Sequence, residues 1–197
     1  MSDDKTADDV ANDSDVTREE LHWRRIDLHG FRRSDGMLEI EAQLIDRKTH
    51  DFAPPSGMRT VPAGEFIHDH GLRVVLDKDL VIRKIGTAIH AYPYRECAGG
   101  GDILQALVGL RIGPGWNSEL RKRLPSGETC THLKELMIPL ASAAYQTLYS
   151  LQTSQVSAVD ASGKPTKIDS CYAYGASREL VRMHWPAFHK PTSTSDK

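Results

Sequence analysis

Leu38, Ile40, Ala42 and Leu44 alternate with Glu39, Glu41 and Gln43. That two-residue period belongs to a strand with one face buried and the other in water. Ile26 and Leu28 alternate in the same way between Arg25 and Arg33. Ser34-Asp35-Gly36 lies between the two runs, and Asp-Gly accepts the positive φ of a tight turn, so the pair predicts a hairpin. A loop rich in proline and glycine spans Asp51 to Gly64. A second sheet segment opens at Phe66, with Leu72, Val74 and Leu76 on one parity and a turn at Asp77-Lys78-Asp79. Leu80 to Tyr92 returns as a strand whose apolar parity switches near Gly86, which predicts a bulge there.

The period then changes to that of helices. Asp102 with Gln105 three residues on resembles a capping pair ahead of a short helix with Ile103, Leu104, Leu107 and Val108 on its apolar face. Gly113-Pro114-Gly115 breaks the chain. A second short helix follows through Trp116, Leu120 and Leu124, with Asn117 as its expected cap. Leu133, Leu136, Met137, Leu140, Ala144 and Leu148 recur at three- and four-residue steps and predict one long amphipathic helix from Thr131 to Tyr149, interrupted by Pro139. Ile168 to Tyr174 and Glu179 to Trp185 predict a closing hairpin around Gly175. Strands first and helices later give an α+β fold: an antiparallel sheet of hairpins, then short helices and a long helix packed on it.

Composition sets the limits of the domain. Residues 1–20 hold eight acids against Lys5 and Arg18 and few large apolar side chains, so a disordered acidic tail is expected. A disordered tail is expected again over residues 190–197, leaving a single domain over 21–189. Removing the acidic tail turns the net charge of −2 into a mildly basic body. Its basic pairs are not interleaved with aromatics, so no nucleic-acid partner is expected. No apolar run reaches the roughly 20 residues of a membrane span, and the N-terminus has no basic, apolar leader. With only three cysteines, a disulfide framework is not expected. The cytoplasm is the expected location, where thiols stay reduced.

Chemistry concentrates in four places. Cys130 and His132 lie at the head of the long helix, where the helix dipole favours a thiolate. Within a helix they would point about 200° apart, so they can share an ion only if the helix begins after Cys130. His68 and His70 share a strand parity with Leu72, so both imidazoles can face one point. Cys97 precedes Gly99-Gly100-Gly101, whose amides could form an anion-binding nest. Cys171 stands in the C-terminal segment. The carboxylates Asp46, Asp51, Asp69 and Asp102 are available for acid–base work, and nothing in the sequence pairs them.

Arg33-Ser-Asp-Gly36, Ile40-Glu-Ala42, Ile67-His-Asp69 with Arg73, Tyr94 to Cys97, Gly113-Pro-Gly-Trp116, Cys130-Thr-His-Leu-Lys-Glu-Leu136, Asp169-Ser-Cys171 and His184-Trp-Pro186 carry a resemblance. Through them the chain from Arg25 to Trp185 resembles a bacterial family known only as domain of unknown function 2889, whose name implies no activity. His70 departs from the hydrophobic residue associated with that position, which favours His68 over it.

More distantly, the order of strands, Cys, helix and then Cys with a nearby His is similar to iron–sulfur cluster scaffold proteins. That resemblance implies Cys97 and Cys130 as thiolate ligands, with His132 and His68 or Asp69 completing the shell. The chain departs from it in having no Cys between the first and second long strands. The expectation is a site of Cys97, Cys130, His132 and one of His68, Asp69 or Cys171, holding zinc or an iron–sulfur cluster. The alternative is a non-enzymatic module that binds a small molecule or a partner. There Trp116, the Gly-Pro-Gly loop and Tyr92 or Tyr94 would line the site and the cysteines would be structural.

Overall fold

The computed structural model describes residues 16–55, 59–151 and 159–191. Most of the expected tails, 1–15 and 192–197, lies outside them. The chain divides into two compact units, one ending at Leu151 and the other beginning at residue 152.

The first unit is the α+β fold. Strands β1 (His22–Arg32), β2 (Leu38–Lys48), β3 (Phe66–Leu76) and β4 (Ile82–Ala91) form an antiparallel sheet in the order β1-β2-β3-β4. Gly36 takes the positive φ of the first hairpin turn. In the β3–β4 turn the Asp77 carboxylate accepts hydrogen bonds from the amides of Asp79 and Val81. Helices α1 (Trp116–Arg123) and α2 (Thr131–Leu151) follow two 3₁₀ turns, Arg95–Gly99 and Asp102–Leu107. One face of the sheet, through Ile40, Leu44, Val74 and Ile82, shares a core with Leu133, Leu136, Met137 and Leu140 of α2. That helix packs on β1, β2 and β3.

Several local expectations are corrected. Gly86 pairs regularly with Arg73, and the β3–β4 register shifts lie at Asp69/His70 and Val75/Leu76. A further shift on β2–β3, between Asp46 and Arg47, leaves Ile67 as the extra residue. Gln105 does not cap its turn: its amide donates to the Ile85 carbonyl at 2.9 Å and ties the turn to β4. The cap of α1 is Gly115 in the left-handed region, not Asn117. Trp116 is buried, and its indole N–H donates to the Met137 carbonyl at 3.0 Å.

The second unit contains no closing hairpin among its described residues. Tyr172–Tyr174 and Pro186–Phe188 are 3₁₀ turns, and Glu179–His184 is a short helix, α3. The i,i+3 pair Glu179–Arg182 suits that helix.

Gly30 sets how closely α2 approaches the sheet. A Cβ there would lie 1.8 Å from Thr147 Oγ1 and 2.9 Å from Thr147 Cβ. Gly30→Ala should therefore destabilise the protein by about 1–3 kcal/mol in urea unfolding. Adding Thr147→Ala should recover part of that loss. An unchanged midpoint in the single variant would show that the helix can move aside freely.

Candidate metal centre

Cross-strand register builds the site. Asp46 on β2 faces Arg24 on β1 and His68 on β3 directly, so the three side chains form a row across the sheet. Arg24 Nη2 donates to Asp46 Oδ2 at 2.6 Å, and Asp46 Oδ1 lies 2.9 Å from His68 Nδ1. Asp46 is only 2% exposed. Burial pushes its carboxyl up, and the hydrogen bonds and charges of His68 and Arg24 more than reverse this, holding it well below the usual carboxylate range. The ionised carboxylate must accept from His68, which places a proton on Nδ1 and turns Nε2 toward other partners. Arg24 also donates to Glu135 of α2 at 2.8 Å, tying the row to the helix.

The head of α2 descends onto this row. Helix α2 begins at Thr131, and the amide of Lys134 donates to the Cys130 carbonyl at 3.0 Å, which makes Cys130 the residue flanking the helix. The geometric condition for Cys130 and His132 to share an ion is met: Sγ and Nδ1 stand 4.0 Å apart. Burial pushes the Cys130 thiol up, but the His132 ring and the amides of Leu133 and His132 outweigh it and hold the thiol below its ordinary value.

Three imidazoles crowd this point. The His68 and His132 ring centroids are 3.9 Å apart, and His70 lies 5.4 Å from His68 and 5.3 Å from His132. His70 is 0% exposed, and neither of its ring nitrogens has a hydrogen-bond partner. Donor atoms of His70, Cys130 and His132 all lie within 4.8 Å of one another, as do those of Asp46, His68 and His132. His132 belongs to both sets. A pocket of about 950 Å³ opens over Asp46, His68, Cys130 and His132, with Phe52 and Tyr94 among its walls.

The structure thus brings Cys130, His132 and His68 together and adds His70 and Asp46. Cys97 lines the same pocket but joins neither donor set. Asp69 instead accepts from Gln43 Nε2 at 2.8 Å, away from both sets. Cys171 belongs to the second unit. Tyr94 lines the pocket, whereas Trp116 serves the core and Tyr92 is not among the lining residues. In the glycine run where an anion nest was expected, Gly100 has a packing role. The Gly100 amide donates to the Cys97 carbonyl, and a Cβ on Gly100 would sit 2.8 Å from Cys130 Cβ. Asp46 shares its parity with Leu44, Ala42 and Ile40, so a charge on the apolar face of β2 was the signal available for it.

The family model described as "Protein of unknown function (DUF2889)" matches residues 22–146. The match contains every residue of the cluster and ends before the C-terminal blocks around Cys171 and His184. No curated protein and no solved structure matches the chain.

Asp46→Asn removes the charge that Arg24 and His68 share and should cost about 3 kcal/mol near neutral pH. A carboxyl held low in the folded state stabilises the fold above its unfolded value of about 4, and that contribution fades as pH falls toward the folded value. The gap between wild type and variant in urea midpoints should therefore be full at pH 7 and shrink below pH 4. A gap that stays constant into acid would contradict the buried ion pair.

Proposed function

The chain belongs to DUF2889, a family of proteins of unknown function, and from that premise we propose that it is a metal-binding protein. His70, Cys130 and His132 hold one zinc ion in this reading, with His68 as the fourth donor. One observation carries it: a fully buried imidazole, His70, with two unpartnered nitrogens beside a thiol and a second imidazole. Leaving such a group unsatisfied costs about 1–3 kcal/mol, and a metal bond removes the penalty.

The neighbouring chemistry supports the same reading. A ligating histidine usually gives its other N–H to a carboxylate, and Asp46 receives that bond from His68. Arg24 fixes Asp46 in turn, so both act by positioning a ligand. Three nitrogens and one sulfur suit zinc, whereas iron–sulfur clusters are held mainly by several thiolates. With three protein donors the ion would keep an open position facing the pocket and could activate water; with four it would be structural. The pocket, with Tyr94 on its wall, favours a small-molecule partner. A cytoplasmic location accords with a thiol kept reduced for metal. Among the described residues no helix is long and apolar enough to cross a membrane.

Protein purified under reducing conditions without chelator should carry about one zinc per chain by plasma mass spectrometry. His70→Phe should weaken zinc binding at least about a hundredfold. It should also leave the metal-free protein as stable as wild type or more so, because two unsatisfied nitrogens are replaced by an apolar ring. Absence of stoichiometric metal, or equal zinc affinity in His70→Phe, would favour the metal-free binding module instead.

A further inference from the structure

Above the cluster the pocket walls have a definite chemistry. Phe52, Ile67, Pro93 and Tyr94 give it an apolar, partly aromatic flank. Lys48 lines the same space, directly across the β1–β2 ladder from His22. Its ammonium sits 5.6 Å from the Phe52 ring centroid, and among the described residues it forms no ion pair with a carboxylate. The other cation on this wall, Arg24, is committed to Asp46 and Glu135. Lys48 is thus a half-buried positive charge beside an aromatic face, two residues along β2 from the carboxylate that holds His68.

We infer that the pocket takes a small organic acid with a flat apolar body. Its carboxylate lies between Lys48 and the metal site, and its body packs against Phe52 and Tyr94. One anchor is Lys48; the other is the net positive charge of the zinc site, with no open coordination position required, and for that anchor the inference rests on the zinc reading. A charged hydrogen bond in a partly water-excluded pocket discriminates strongly against a neutral ligand of the same shape. The volume of about 950 Å³ lies within the range of small-molecule sites. Among the described residues Lys48 pairs with none of the lining carboxylates: Asp46 is committed to Arg24 and His68, and Glu96 and Glu128 are exposed.

The test is calorimetric titration of the full chain, zinc-loaded and metal-free, with benzoate and with benzyl alcohol. Zinc-loaded wild type should bind benzoate at least about tenfold more tightly than benzyl alcohol. Lys48→Met should abolish that preference while the zinc content measured by mass spectrometry stays unchanged. Equal binding of the two probes, no binding of either, or a benzoate preference that survives Lys48→Met would overturn the inference even with zinc in place. If the protein takes up no zinc, the metal reading fails by itself. A Lys48-dependent benzoate preference in the metal-free protein would then uphold the organic-acid site, and its absence would overturn that as well.

Discussion

A carboxylate buried on the apolar parity of an inner strand has to be answered on both sides, and Asp46 imposes that requirement on this fold. The antiparallel register supplies Arg24 from β1 and His68 from β3 as its direct neighbours. Each forms a hydrogen bond to a different carboxylate oxygen. Arg24 then reaches Glu135 on α2, so the same row that neutralises Asp46 ties the helix to the sheet. Two register shifts, at Asp46/Arg47 and Asp69/His70, lie on either side of His68, the second of them between the two histidines. Bulges at such places re-aim side chains at a small cost in ladder hydrogen bonds.

Glycine packing brings the second half of the site into reach. Gly30 lets α2 lie against β1 at Thr147, and Gly100 lets the turn after β4 touch Cys130. Cys130 remains outside the helix while the helix starts one residue later, which removes the angular conflict with His132. The result is a thiol and two imidazoles, Cys130, His70 and His132, with donor atoms close together, and the His68 ring centroid 3.9 Å from that of His132 beside them. Charge placed over an apolar core is stabilised only when it is paired, as Asp46 is by Arg24 and His68.

Much of the fold was legible because its elements are long and strictly periodic. The β1–β2 hairpin and α2 follow directly from their two-residue and 3.6-residue patterns. Short elements were less legible. The segment around Gly175 has too few alternating positions to distinguish a strand from a helical turn, and the three-residue spacing of Glu179 and Arg182 belonged to the helix. Cys130, His132 and His68 were readable as candidate donors from residue type and position, and the fold brings them close together. His70 was discounted against a family pattern, although its strand parity with Leu72 already pointed it inward. Asp46 could be seen as a carboxylate but not as a partner, because its pairing depends on the register of three strands.

The coordination of zinc added to the protein is the most direct measure of the proposed centre. X-ray absorption at the zinc edge, on protein loaded with one equivalent, should show nitrogen neighbours at about 2.0–2.1 Å and one sulfur at about 2.3 Å. The sulfur contribution should vanish in Cys130→Ser while the nitrogen neighbours remain. A spectrum without sulfur in the wild type, or one unchanged by Cys130→Ser, would contradict a centre built from Cys130 and the three histidines.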